Sequence, residues 1–184
     1  MRIIGGKYRG KKLISPDSAA VRPTSDRARE ALFNILRSRL NVPFAELSLL
    51  DVFCGSGAFA LEALSQGFAK AGAVDIDIRP LLKNLALFPA EKDKLKIYRQ
   101  PAATLKNPGD AYDVLFMDAP YNQGLTEPAL QAIASARMLK PSAWCLIELR
   151  NDEILNLPPQ YQYIEERRYG LAKVVIARFD YQGS

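Results

Sequence analysis

The segment Asp51-Val-Phe-Cys-Gly-Ser-Gly57 contains the first residues whose types and spacing could do chemistry. Gly55 and Gly57 have no Cβ, so the chain can turn tightly there and a ligand can approach the backbone closely. Asp51 precedes both glycines, where a carboxylate can hold an ammonium group, directly or through water. Asp75 ends the next apolar stretch, where a carboxylate can accept hydrogen bonds from both hydroxyls of a ribose. An amino acid joined to a nucleoside, as in S-adenosylmethionine (SAM), would satisfy both acids.

The same glycines leave a second interpretation open. Together with Ala60 they fit the GxGxxA pattern of a dinucleotide site, which would make the chain a nicotinamide-dependent oxidoreductase. An acid at position 51 is unhelpful beside a diphosphate, and the oxidoreductase hypothesis gives it no role. The glycine pattern alone is a weak signal, because it also occurs at ordinary turns between a strand and a helix.

A second chemical segment, Asp118-Ala-Pro-Tyr121, follows an apolar stretch. It suits methyl transfer to a planar exocyclic amine, whose nitrogen is weakly nucleophilic because its lone pair is delocalised into the ring. Hydrogen bonds from the amine to the Asp118 carboxylate and the Ala119 carbonyl would favour a pyramidal nitrogen with its lone pair directed at the methyl group. Pro120 would fix the turn that points this carbonyl inward, and Tyr121 offers a face on which an unpaired base can stack.

The N-terminal part of the chain is strongly basic. Residues 1–39 contain ten Lys and Arg residues against three acidic ones, whereas the whole chain of 184 residues has a net charge of +5. A basic pole on a nearly neutral body indicates a polyanionic partner, of which nucleic acid is the commonest. The basic residues alternate with glycines and Tyr8, which favours a folded hairpin over a tail. A solvated face that binds nothing is the alternative.

Composition excludes several kinds of chemistry. The chain has no histidine, so Cys-His zinc sites and histidine-based triads are excluded, and we expect no metal. Neither Cys54 nor Cys145 lies in a CxxC pair or a nucleophile motif, which disfavours methylation at pyrimidine C5. No apolar run approaches the roughly 18 residues of a membrane span, and the N-terminus lacks the apolar region of a secretory signal. We expect a cytoplasmic protein without membrane contact, and a monomer.

The apolar pattern predicts the elements that would position these residues. Two short stretches, Arg2–Ile4 and Lys11–Ile14, flank a glycine-rich, basic turn, which predicts a short β-hairpin. A helix follows over Ser25–Leu40, with Thr24 or Ser25 as its cap. After Pro43, strands and helices alternate, which predicts an α/β fold with a mostly parallel sheet covered by helices. Such a sheet binds ligands at the carboxyl ends of its strands.

Seven strands and three further helices complete the prediction. The predicted helices are Ala58–Gln66, Pro80–Phe88 and Leu125–Leu139. The predicted strands are Leu47–Phe53, Ala71–Asp75, Leu95–Arg99, Tyr112–Met117, Trp144–Leu149, Tyr161–Tyr169 and Leu171–Tyr181, the last two as an antiparallel C-terminal hairpin around Gly170. We interpret residues 1–184 as one domain.

These segments together resemble a known family, the bacterial 16S ribosomal RNA guanine-N2 methyltransferases, which have the Rossmann-like class I methyltransferase fold. The resemblance covers nearly the whole chain. It depends on four motifs, which are Arg2-Ile-Ile-Gly-Gly-Lys-Tyr-Arg-Gly-Lys-Lys-Leu13, Arg22-Pro-Thr-Ser-Asp-Arg-Ala-Arg-Glu-Ala-Leu-Phe-Asn34, Leu50-Asp-Val-Phe-Cys-Gly-Ser-Gly57 and Asp118-Ala-Pro-Tyr-Asn-Gln-Gly-Leu125. Many methyltransferases share the glycine motif, whereas the two N-terminal motifs are much more specific.

The resemblance implies a role for each motif. It implies SAM as the cofactor, held by Asp51, Phe53, Gly55, Ser56, Gly57, Asp75 and Ile76. The target amine would be bound by Asp118, Ala119, Pro120 and Tyr121. Residues 1–45 would form a basic RNA-binding extension, with contacts from Arg2, Lys7, Arg9, Lys11, Arg22, Thr24, Arg27 and Arg29. The implied reaction is methyl transfer from SAM to the exocyclic N2 of a guanine in the 16S rRNA of the small ribosomal subunit.

Three features depart from the family pattern. Ala119 replaces the usual first proline of an Asp-Pro-Pro-aromatic motif, which keeps the carbonyl but predicts a looser turn. Pro101 stands where the family tends to carry Asp or Asn toward the adenine amino group, so adenine recognition must depend on the backbone or another side chain. The stretch after Asp77 is a few residues short. An adenine-N6 DNA methyltransferase and a catalytically faded RNA-binding assembly factor with the same fold are the alternatives.

Overall fold

The structure, a computed structural model, describes residues 1–15, 26–106 and 109–181. Within these residues the α-helices are α1 (Asp26–Arg39), α2 (Ala58–Ser65), α3 (Arg79–Leu85) and α4 (Thr126–Ser135). The strands are β1 (Ser48–Val52), β2 (Lys70–Asp75), β3 (Leu95–Arg99), β4 (Tyr112–Asp118), β5 (Leu139–Arg150), β6 (Tyr161–Tyr169) and β7 (Ala172–Phe179). None of these helices is long and apolar enough to cross a membrane.

The strands form one sheet in the order β3-β2-β1-β4-β5-β7-β6. The first five strands are parallel, and β7 is antiparallel to both β5 and β6. This confirms the predicted Rossmann-like sheet with an antiparallel C-terminal hairpin. The chain builds the sheet outward from β1 in one direction and then resumes at β4 on the other side. The switch point therefore lies between β1 and β4, where sheets of this kind bind ligands.

Helices cover both faces of the central strands. Every residue of β1 is buried, because its side chains alternate between two apolar layers. Leu50 and Val52 pack on the face that carries α4, whereas Leu49 packs on the face that carries α1 and α2. The central strands are thus packed between helices on both faces. This packing fixes the positions at which the strands end.

Helix α1 lies where the apolar spacing predicts it. Leu32, Phe33 and Leu36 are buried and pack against the sheet with Leu49. The residues predicted to cap the helix, at positions 24 and 25, lie outside the described residues.

Helix α4 is shorter than the predicted Leu125–Leu139. It ends at Ser135, and Arg137 then adopts a positive φ of 53°. Leu139 already pairs with Tyr112 in the sheet. Apolar residues continue from the end of α4 into the start of β5, because both are buried. The apolar pattern alone therefore does not show where the helix ends and the strand begins.

The N-terminal segment pairs its two ends in the antiparallel way that the predicted hairpin requires, although the pairing is short. The N–H of Ile3 donates to the Lys11 oxygen at 2.9 Å, and the N–H of Leu13 donates to the Met1 oxygen at 3.1 Å. Arg2 and Lys12 form a single antiparallel bridge with a 3₁₀ turn between them. The backbone N–H groups of Ile4 and Gly5 each donate to the Glu62 carboxylate on α2 at 2.8 Å. The Glu62 side chain thus attaches this short hairpin to the main body of the protein.

Candidate active site

The turn between β1 and α2 has a conformation that few side chains tolerate. Phe53, Gly55 and Gly57 have positive φ values of 61°, 49° and 73°. A Cβ at Gly57 would lie 2.1 Å from Leu81 Cδ1, whereas a Cβ at Gly55 would meet nothing within 4 Å. A side chain at position 57 would therefore require Leu81 of α3 to move. Gly55 leaves open space beside the backbone, which a ligand can approach.

Asp51 lies on β1 with its carboxylate buried beneath this turn. The residue is 2% exposed, and its Oδ2 atom accepts the backbone N–H of Ala60 at 3.0 Å. Burial is the main reason that the pKa of Asp51 is raised to about 7, and the negative charge of Asp75 adds to the shift. A nearby cation would favour the ionised carboxylate and offset the cost of burying it. The site therefore suits the ammonium group of an amino acid.

Asp75 ends β2 beside the same turn. Its Oδ2 atom accepts the N–H of Gly55 at 2.9 Å, and its Oδ1 atom accepts the N–H of Asp77 at 3.0 Å. These bonds fix the carboxylate, and each oxygen can still accept a further hydrogen bond. The adjacent Ile76 is 67% exposed. An exposed aliphatic side chain beside a fixed carboxylate suits a nucleoside, whose sugar is polar and whose base has apolar faces.

The Asp118 turn begins on the strand next to β1. Val52 at the end of β1 is the register partner of Met117 on β4, so the chain leaves the sheet for both turns at the same edge. Asp118 is half-buried and Ala119 is buried, whereas Pro120 is exposed. The structure thus brings together the two segments that the sequence analysis identified separately.

Tyr121 is half-buried at the end of this turn. Its hydroxyl donates to Oε1 of Glu148 at 3.1 Å. Burial, followed by the negative charges of Glu148 and Asp118, raises the pKa of Tyr121 above its ordinary value. The hydroxyl therefore stays protonated at physiological pH and remains a donor to Glu148.

Most of the predicted RNA contacts in the described residues are exposed. Lys7 forms an ion pair with Glu91 at 2.5 Å, and Lys11 donates to the backbone oxygen of Leu87. Both lysines are nevertheless exposed. The exposed members of the predicted set are Arg2, Lys7, Arg9, Lys11 and Arg27, while Arg22 and Thr24 lie outside the described residues.

Arg29 is the exception, and its prediction as an RNA contact is wrong. The residue is 1% exposed on α1. Its guanidinium donates to the backbone oxygen of Arg2 at 2.5 Å and pairs with Asp26 at 3.0 Å and with Glu62 at 3.4 Å. A buried guanidinium is tolerated only where such partners replace water. Arg29 therefore attaches the N-terminal segment to α1 and α2 and offers no charge to a phosphate.

Asn84 is a buried polar residue that the sequence analysis missed. Its Oδ1 atom accepts the N–H of Ile14 at 2.7 Å, and its Nδ2 atom donates to Ile14 O at 3.1 Å and to Ser56 O at 3.0 Å. Glu62 and Glu148 are also buried and were also missed. The only signal in the sequence is that each of these residues interrupts an apolar stretch. That signal shows a polar residue in the core but does not identify its partner.

Comparisons with known proteins agree with this architecture. A family model described as Conserved hypothetical protein 95 matches residues 1–178. The chain is similar to the Ribosomal RNA small subunit methyltransferase D of Haemophilus influenzae, with 33% identity over 178 residues that cover 93% of this chain and 90% of that protein. It is similar to the solved structure of yhhF from Escherichia coli, with 30% identity and a TM-score of 0.83 over 99% of both chains. A SAM-dependent methyltransferase from Aquifex aeolicus has the same fold, with 16% identity and a TM-score of 0.62 over 86% of this chain and 94% of that one.

Proposed function

The chain belongs to the Conserved hypothetical protein 95 family, and from that premise we propose that it transfers a methyl group from SAM to the exocyclic N2 of a guanine in 16S rRNA. The name of the Haemophilus influenzae relative supports ribosomal RNA of the small subunit as the substrate. One observation carries the proposal, namely that the glycine turn and the Asp118 turn leave adjacent strands at one edge. Methyl transfer requires the cofactor and the target atom to be held side by side, which this arrangement allows.

The residues around the glycine turn fit SAM. The buried carboxylate of Asp51, whose pKa is raised to about 7, would hold the ammonium group. Asp75 would accept hydrogen bonds from the ribose, and Ile76 would lie against the base. The backbone of the turn would surround the amino-acid part, through Phe53, Gly55, Ser56 and Gly57. When bound, SAM supplies a methyl carbon made electrophilic by its sulfonium centre.

The Asp118 turn would hold the amine that accepts the methyl group. The Asp118 carboxylate and the Ala119 carbonyl would accept the two N2 hydrogens, which directs the nitrogen lone pair toward the methyl carbon. The proton that N2 loses after methylation would pass to Asp118 and from there to solvent. Pro120 limits the conformations of the turn, and the ring of Tyr121 would stack on the base. Positioning and electrostatics therefore do the catalytic work, without a covalent intermediate on the protein.

Residues 1–45 would be the RNA-binding extension of a single domain that acts as a monomer without a metal. Charged contacts to phosphates supply much of the affinity of such interfaces without reading sequence. The exposed side chains of Arg2, Lys7, Arg9, Lys11 and Arg27 would supply the charge among the described residues. Arg22 and Thr24, two further predicted contacts, lie outside the described residues.

The test is incubation of the protein with isotope-labelled SAM and undermethylated small ribosomal subunits, followed by mass spectrometry of the nucleosides. We expect labelled N2-methylguanosine. Duplex DNA and naked 16S rRNA are assayed in parallel as alternative substrates. Labelled N6-methyladenine in DNA would favour the adenine methyltransferase, and no labelled nucleoside from any substrate would favour an RNA-binding module without activity.

A further inference from the structure

Glu148 lies one strand away from the turn proposed to hold the target amine. It is the register partner of Asp118, so the two acidic residues lie near the ends of the adjacent parallel strands β4 and β5. Glu148 is 5% exposed, and glutamate is seldom buried to this extent without a partner. Its Oε1 atom accepts the Tyr121 hydroxyl at 3.1 Å. This hydrogen bond ties the far end of the turn back to β5.

A second glutamate holds the same turn in a different way. Glu153, just beyond β5, accepts the backbone N–H of Asn122 at 2.7 Å and that of Arg150 at 2.8 Å. Asn122 has a positive φ of 56°, so the chain changes direction there. Glu153 therefore fixes the backbone of the turn, whereas the hydrogen bond to Glu148 reaches only the side chain of Tyr121.

We propose that Glu148 is a positioning residue for methyl transfer and acts by fixing the place of the Tyr121 ring. This inference rests on the proposed function, in which a base stacks on that ring. The hydroxyl is the atom of the side chain farthest from the backbone, so a hydrogen bond there restrains the rotation about Cα–Cβ that would swing the whole ring away from the turn. The bond uses the hydroxyl and not a face of the ring, on which the base would stack.

A carboxylate is well suited to this task. The carboxyl oxygen of Glu148 accepts the Tyr121 hydroxyl at 3.1 Å, which an apolar side chain of similar volume at this position could not do. The position of the ring matters for rate, because a displacement of about 1 Å at a reacting centre can cost about a hundredfold. Asp118 can meet the amine only if the stacked base lies at the correct distance and angle.

The test compares Tyr121→Phe, Glu148→Leu and the double variant in single-turnover methylation of undermethylated small subunits. Tyr121→Phe keeps the ring and removes the donor, whereas Glu148→Leu removes the acceptor at similar volume. We expect each single variant to react about tenfold more slowly and the double variant to react no more slowly than the singles, because all three lack the same hydrogen bond. Glu148→Gln keeps an acceptor oxygen and should recover most of the rate. Binding of S-adenosylhomocysteine should be unchanged in these variants, whereas a general loosening of the sheet would weaken it.

Glu153→Leu is the matched control, because it loosens the backbone of the same turn and leaves the hydroxyl bond to Glu148 in place. In a variant that carries both Glu153→Leu and Tyr121→Phe, the reductions in rate caused by the two substitutions should multiply. If Tyr121→Phe reacts at the wild-type rate, the positioning role is overturned, even if Glu148→Leu does not fold. The role is also overturned if the rate reductions of Tyr121→Phe and Glu148→Leu multiply in the double variant.

A second readout needs no turnover. In the wild type, NMR three-bond couplings from Cγ of residue 121 to the backbone nitrogen and carbonyl carbon should report one rotamer about Cα–Cβ, whereas in Tyr121→Phe and Glu148→Leu they should report averaging between rotamers. Equal couplings in the three proteins would contradict the inference. A wild-type protein that methylates no RNA would refute the proposed function, and the couplings would still decide whether Glu148 holds the ring.

Discussion

Asn84 donates a hydrogen bond from Nδ2 to the backbone oxygen of Ser56 at 3.0 Å, which joins α3 to the turn between the two glycines. The same amide pairs with both backbone groups of Ile14 near the end of the first described segment. One fully buried side chain thus supports the turn proposed to hold the cofactor and the segment proposed to bind RNA.

Asn84→Leu should destabilise the protein because three backbone groups would lose their partner at a buried position. We expect the free energy of unfolding to fall by about 2–4 kcal/mol in urea titrations, since each buried unsatisfied group costs about 1–3 kcal/mol and some will find water. Asn34→Leu is the matched control, because Asn34 is exposed and accepts one hydrogen bond from Arg37. The control should change the free energy by less than about 1 kcal/mol. Equal effects of the two variants would contradict the role of Asn84.

Asp51→Asn should stabilise the protein at alkaline pH while it weakens cofactor binding. The pKa of Asp51 is raised to about 7, so between about pH 4 and pH 7 the folded protein holds more protons than the unfolded chain. Stability contributed by the neutral form is therefore lost as the pH rises through this window. Asparagine keeps an oxygen for Ala60 without the charge, so we expect unfolding in urea to cost about 2–4 kcal/mol more than in the wild type at pH 8, and little more at pH 4.5.

The same substitution provides a check on the role of the charge. Binding of S-adenosylhomocysteine, measured by calorimetry at pH 8, should weaken by at least about tenfold, because the ammonium loses its ionised partner. In the wild type, affinity should fall as the pH is lowered below 7. An Asp51→Asn variant that binds as tightly as the wild type would show that this carboxylate holds no ammonium.

Gly57→Ala and Gly55→Ala should differ in their effect on stability. Both glycines have a positive φ, which costs a side chain about 1–2 kcal/mol. Only at Gly57 would the new Cβ also lie 2.1 Å from Leu81 Cδ1. Crowding in a packed core adds about 1–3 kcal/mol. Urea titration should therefore show Gly57→Ala to be the less stable variant, and the reverse order would contradict the packing of α3 against the turn.

Much of the sheet could be predicted because its strands carry the apolar pattern that burial requires. β3 and β6 have the predicted bounds, and the strand before the glycine turn differs by one residue at each end. The two chemical segments could be predicted to meet, since parallel strands end at a common edge. The end of α4 could not be predicted, because helix and strand are both apolar where they join.

The hydrogen bonds and ion pairs that support the site could not be predicted, because they join residues that are distant in sequence. Glu62 and Ile4 are 58 positions apart, and Asn84 and Ile14 are 70 positions apart. The resemblance implies that Arg29 contacts RNA, because a sequence motif does not show which of its arginines is buried. Only the packing of α1 against α2 places its guanidinium beside Glu62.

Charge reversal of Arg9 and Arg27 should weaken RNA binding. Both residues are exposed, so reversing their charges should lower affinity and reduce the slope of log affinity against log salt by about one for each phosphate no longer neutralised. The matched control is Arg168→Glu, which changes an exposed arginine on β6 at the far edge of the sheet. Binding of 16S rRNA fragments is measured at several salt concentrations. A variant with the wild-type slope would show that these residues form a solvated face.

The most direct test of the proposed chemistry is the methylation rate of Asp118→Ala on undermethylated small subunits. The variant removes one of the two acceptors proposed for the guanine amine, so turnover should fall by at least about 100-fold, as when a preorganised transition-state hydrogen bond is removed. RNA and S-adenosylhomocysteine binding should change little. Asp152→Ala, at an exposed aspartate just beyond β5, should react at the wild-type rate. Formation of N2-methylguanosine by Asp118→Ala at the wild-type rate would contradict the account.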